Sequence, residues 1–137
     1  MIMQIALSDK KGLTLLEVII ALVVLLLVSL ALMQTALVSI NSNMTNILRD
    51  EAVSIAEQRM NEARNTPFAA LAGTANATVF RNFRNVTNFP FTVTTAVSDL
   101  NLDNKQVNVT VTWEWREKTV ANGNPYTHRI STIMRRQ

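Results

Sequence analysis

The 137-residue chain is 48% hydrophobic and only 17% charged, with 13 Lys and Arg against 10 Asp and Glu for a net charge of +3, no Cys and a single His. The charged fraction falls well below the ~25% of ordinary soluble domains, the absence of Cys excludes a disulfide framework, a thiolate metal site and a thiol nucleophile, and one imidazole leaves metal hydrolysis and His-based triads without their residues. Three Gly and three Pro exclude a glycine-rich phosphate cradle, and the basic residues are spread along the chain and not clustered as a nucleic-acid footprint would be.

Lys10 and Lys11 directly precede a long apolar run, the charge arrangement that keeps an N-terminus cytoplasmic. From Leu13 to Met33 the only polar residues are Thr14, Glu17 and Ser29. As α-helix this stretch rises about 31 Å, enough to cross a ~30 Å hydrocarbon core once. No Gly or Pro occurs between Leu13 and Thr66, so the helix is expected to continue past the apolar run. Beyond Met33 the apolar residues thin to a stripe at Ile40, Met44, Leu48, Ala52, Ile55, Ala56, Met60 and Ala63, spaced as one helical face requires. Pro67 is expected to end a helix of about 53 residues, apolar over 13–35 and amphipathic over 36–66.

From residue 67 the period changes from 3.6 to 2, and Thr, Val and aromatic residues replace Leu and Ala. Val107, Val109, Val111, Trp113 and Trp115 alternate with polar residues in a predicted strand over 106–116, whose apolar face includes both Trp side chains. Asn122-Gly123-Asn124-Pro125 supplies turn chemistry before a partner strand over 126–134. Phe91, Val93, Thr95 and Val97 mark a third strand, with Pro90 at its start. A sheet of about 70 residues buries little by itself, so the amphipathic helix half is expected to supply its missing core wall. The predicted fold is α+β, a long N-terminal helix packed on a small antiparallel sheet over 67–137.

The junction Lys10-Lys11-Gly12-Leu13-Thr14-Leu15-Leu16-Glu17 joins a basic patch, one Gly, an apolar run and an acid four residues into it. A carboxylate inside lipid costs roughly 2.5 to 3.5 kcal/mol at a helix centre. Cleavage after Gly12 would place a new amine on Leu13 one helical turn from Glu17, where opposite charges can meet. Two other readings compete: a secretory signal peptide ending at Ser29-Leu30-Ala31, and a plain single-span anchor with Glu17 at its boundary.

KKGLTLLEVIIALVVLL resembles the prepilin (class III) signal of type IV pilins and of the pseudopilins of type II secretion. The resemblance implies that residues 1–12 are a leader cut after Gly12 by a membrane peptidase, which methylates Leu13. It also implies that Glu17 pairs with a neighbouring subunit's amine during assembly, and that the chain is a non-enzymatic subunit without a cofactor. Its implied partners are other pilin or pseudopilin subunits through the N-terminal helix, the prepilin peptidase/N-methyltransferase and an inner-membrane assembly platform. The resemblance further implies a single-pass inner-membrane protein with its N-terminus inside before assembly, and a place in a periplasmic or extracellular filament afterwards. More loosely, EAVSIAEQRMNEAR and VNVTVTWEWRE resemble minor pilins of the PilV type and minor pseudopilins of the GspI type. That likeness and the unbroken helix point to a minor pilin at the tip of a type IV pilus, with a minor pseudopilin of type II secretion, or a tip adhesin or DNA-binding pilin, as the alternatives.

Outside the junction the signals are sparser. Asp99, Asn101 and Asp103 have the first spacings of a calcium loop, yet Asn104 stands where a turn Gly belongs and Thr110 where a Glu should close the set. A polar turn between strands explains them equally. Phe80-Arg81-Asn82-Phe83-Arg84 interleaves aromatic and basic residues, and Arg129, Arg135 and Arg136 could extend it into a patch for DNA or a surface ligand. Solvated arginines are the competing reading. His128 falls in the last predicted strand without a second His, and no role attaches to it.

Overall fold

The computed structural model describes the backbone of residues 5–83 and 86–136, with side chains described from Thr14 onward. One helix, α1 (Ile5–Arg64), is followed by a 3-10 turn at Phe68–Ala70 and four strands, β1 (Thr74–Phe83), β2 (Val86–Asn101), β3 (Asn104–Trp113) and β4 (Tyr126–Arg135). The strands form one antiparallel sheet in the order β1-β2-β3-β4. This is the predicted α+β architecture, with one strand more than the sequence announced. The chain divides into two compact units, Met1–Asn43 and Met44–Gln137.

In the first unit α1 exposes its large apolar side chains, Leu25 at 62% and Leu32 at 66% among them. Water would penalise such a surface, so the segment needs lipid or other helices around it. Its hydroxyls are satisfied within the helix: Ser29 Oγ donates to the Leu25 carbonyl at 2.8 Å and Thr35 Oγ1 to the Ala31 carbonyl at 3.0 Å. Back-bonding of this kind removes the cost of a bare hydroxyl in hydrocarbon.

In the second unit the stripe Leu48, Ala52, Ile55, Ala56 and Met60 is buried, as the spacing predicts, with Met44 and Ala63 partly covered beside it. Ile40, expected to open that stripe, is exposed and belongs to the first unit. The stripe shares one core with Phe91 and Val93 of β2 and Val107, Val109, Val111 and Trp113 of β3. From Gln106 to Trp113 β3 alternates half-buried and buried positions, because period-2 patterning puts every second side chain under the helix. A chain of ring contacts, Phe83–Phe89–Phe91–Trp113–Tyr126, runs across one end of this core at centroid separations of 5.2 to 6.0 Å.

Four local expectations need correction. The helix ends at Arg64 and not at Thr66, because a residue preceding Pro67 disfavours the α region. Asn65 and Thr66 instead close the terminus with backbone bonds to Asn61 and Ala63. Pro90 lies inside β2, opposite Phe80, and not at a strand start; pairing of β2 with β3 begins only at Thr92, so no ladder partner on that side misses its N–H. β3 stops at Trp113: Arg116 has φ +57° and Trp115 bridges to Lys118, so the chain turns out of the ladder before residue 116. Trp115 still packs partly against the core, as does Phe89 at 6.2 Å from it. Finally, β1 was not anticipated, although Gly73 admits it. A Cβ on Gly73 would lie 3.0 Å from the Thr95 carbonyl oxygen, a tight contact that Gly avoids as the chain enters β1 beside β2.

Candidate functional site

The residues singled out at the N-terminus all fall on α1, whose backbone is already helical at Lys10, Lys11, Gly12 and Leu13. The side chains of these four lie outside the described residues. Glu17 is exposed on the helix, with Leu15, Leu16, Val18, Ile19 and Ile20 exposed around it. Among the described residues its carboxylate has no ion-pair partner. An acid in an apolar, exposed helical setting is therefore available to a cation supplied from elsewhere. The helix that carries it contains a window long and apolar enough to cross a membrane, wholly unburied within the fold.

Residues 7–33 match the family described as the prokaryotic N-terminal methylation motif. The chain carries a prepilin class III signal. No curated protein and no solved structure matched the chain. The matched span contains Lys10, Lys11, Gly12, Leu13 and Glu17 and most of the apolar run. The match describes the N-terminal segment, where it supports a type IV pilin-like or pseudopilin reading and points to a substrate of prepilin peptidase. The apolar α1 segment fits the single-pass membrane anchor of a prepilin.

The fold scatters the basic residues that the sequence suggested might act together. Arg81 is on the helix-facing side of β1, where its Nη2 donates to Gln58 Oε1 at 3.1 Å and its Nε lies 3.8 Å from Glu51 Oε2. Arg129 and Arg135 stand on the opposite face of β4, alternate to the core-facing Ile130 and Met134, and Arg129 Nε donates to Thr110 Oγ1 at 3.2 Å. Arg136 follows the strand, its backbone N–H on the Asp103 carbonyl. Arg84 lies outside the described residues. Arg81 and Arg129 therefore cannot contact one nucleic-acid backbone from the same face.

Asp99, Asn101 and Asp103 sit at the β2–β3 hairpin. Asn101 Oδ1 accepts from the Asp103 backbone N–H at 3.1 Å and from Asn104 Nδ2 at 2.9 Å, an Asx turn of the kind Asn favours. Asp99 faces Lys105 at 3.9 Å. Among the described residues no group of three or more His, Cys, Asp or Glu could hold a metal ion. His128 packs on the helix-facing side of β4 beside Trp113, and its Nε2 is buried without a hydrogen-bond partner.

Two functional-looking residues escaped the sequence. Gln58, in the middle of a polar helix face, anchors Arg81. Lys105, next to the strand's apolar positions, is bound by the carbonyls that follow the helix. Neither has a local signal, since each partner lies more than twenty residues away in sequence.

Proposed function

We propose that this chain is a minor subunit of a type IV pilus, processed after Gly12 and incorporated through α1. The observation that carries the reading is the continuity of the signal over residues 7–33 with an apolar helix that no part of the fold covers. In this reading residues 1–12 are the cleaved leader, 13–35 the membrane and filament-core segment, 36–66 the amphipathic segment and 67–137 the sheet domain. Lys10 and Lys11 hold the leader in the cytoplasm. Leu13 becomes the methylated terminus, and Glu17 pairs with the Leu13 amine of a neighbouring subunit inside the apolar filament core. Burying the acid costs less with that partner than without it, so correct axial register between subunits is favoured over displaced ones.

The minor, tip-proximal assignment draws on the part of α1 that follows Gly12, which has no Gly or Pro at which to melt during packing into a shaft, and on the looser likeness to PilV-type chains. N-terminal mass analysis of the chain recovered from membranes tests the processing step. A mature species beginning with methylated Leu13 supports it; an intact Met1, or a terminus near Leu32, overturns it. Quantitative mass spectrometry of sheared filaments tests the minor status, which a dominant share of this chain would refute.

A further inference from the structure

α1 covers the middle of the sheet and leaves its margins half open. Phe91, Val107 and Val109 are fully buried, whereas the helix-facing residues of β4, Tyr126, Ile130 and Met134, are only partly so. At the β1 margin Arg81 spans the gap to Glu51 and Gln58. At the β4 margin three cavities lie in a row instead. One of about 230 Å³ lies between Arg49 and His128 and is backed by Trp113 and Tyr126. The second, about 330 Å³, lies between Arg64 and Ile130. The third, about 530 Å³, lies between Arg64 and Met134. They open at β4 residues 126–128, 130–131 and 134–135, a repeat of about four residues or roughly 13 Å along a strand.

β4 is an edge strand. It pairs with β3 over ten consecutive residues without a bulge, and among the described residues no strand lies on its other side. About half of its backbone N–H and C=O groups point to that open side, as antiparallel geometry requires. Three of the usual protections of an edge, a Pro, a bulge and a short strand, are missing from Tyr126–Arg135, and its charges, Arg129 and Arg135, are cationic and oppose a basic partner more than an acidic one. β1, at the other edge, has two irregularities in its register. The described residues lining the three cavities include Arg49, Arg64 and Arg135 and a single acid, Glu57.

From this arrangement we infer that the free edge of β4 and the cavities beside it form a docking groove for an extended acidic segment of another protein chain, added as a fifth strand. Backbone pairing along β4 supplies affinity, and the cavities, one per four residues, accept alternate side chains from the helix-facing side of the added strand. Arg49 and Arg64 select acidic side chains there and repel basic ones.

The test uses the full-length chain in detergent micelles, unassembled, so that its outcome is independent of filament membership. Three ten-residue probes are compared: a peptide alternating Glu with Val and Thr, its counterpart with Lys in place of Glu, and the Glu peptide N-methylated at alternate backbone nitrogens. Saturable binding of the Glu peptide is expected, with hydrogen-exchange protection gained at residues 126–135. The Lys and N-methylated peptides should bind about tenfold more weakly or worse. The double variant Arg49→Glu/Arg64→Glu, at two exposed helix positions, should lose the Glu peptide by a similar factor while its urea midpoint stays in place. Equal binding of the Lys or N-methylated peptide, protection at Thr74–Phe83 instead, or no binding at all overturns the proposal. Self-association that protects 126–135 without peptide overturns it too, by giving the groove to a second copy of this chain.

Discussion

Lys105 Nζ on β3 lies 3.2 Å from the carbonyl oxygen of Phe68, in the turn that follows α1. It also donates to the Leu71 carbonyl at 3.3 Å and sits 5.0 Å from the Phe68 ring centroid, while its side chain is 17% exposed. One ammonium thus fastens the helix exit to the sheet. Replacing it with Met should cost about 1 to 3 kcal/mol, because two carbonyls lose a charged donor. Asp99→Asn should cost less than about 1 kcal/mol, since that carboxylate is 75% exposed and screened. Urea unfolding of the full chain in detergent, followed by Trp fluorescence, checks both.

Phe91 and Phe80 are of one residue type on adjacent strands, yet Phe91 is 0% exposed and Phe80 60%. Phe91→Ala should cost about 3 to 5 kcal/mol by leaving a cavity under α1. Phe80→Ala should shift stability by about 0.5 kcal/mol or less. A larger loss from Phe80→Ala than from Phe91→Ala would mean that the sheet presents its other face to the helix.

Arg81 is held by Gln58 and Glu51 while its side chain stays 35% exposed. Arg81→Ala should lower the urea midpoint slightly, by about 0.5 to 1 kcal/mol in stability, and leave DNA affinity unchanged across ionic strength. A steep salt dependence that disappears in Arg81→Ala would reinstate the nucleic-acid reading.

Glu17 lies outside the sheet domain's core, so its charge should matter to assembly and not to folding. Glu17→Ala is expected to insert and be processed, keep the wild-type urea midpoint, and enter filaments poorly. Normal incorporation, measured by mass spectrometry of sheared filaments, would remove its proposed role. Gly12→Val should leave the chain at its full precursor mass, since a branched side chain obstructs the scissile position.

The features that the sequence alone determined are those carried by neighbours along the chain. The apolar run after Lys10 and Lys11, the unbroken helix, the stripe from Leu48 to Met60 and the alternation from Val107 to Trp113 are local periodicities, and each specifies a conformation and a buried face without reference to the rest of the molecule. The signal itself is of this kind, because spacing between a Gly, an acid and a basic pair needs no tertiary structure to exist. What remained for the tertiary structure were matters of pairing. β1 has a weak alternation because an edge strand with Ala77, Val79, Arg81 and Phe83 under the helix margin is half-covered and tolerates mixed polarity. Whether Arg81 faces DNA or Gln58, whether Trp115 stays in the ladder, and where Pro90 is tolerated all depend on register between strands distant in sequence. Register is set by burying one shared core, and that sum over distant residues is what no local window contains.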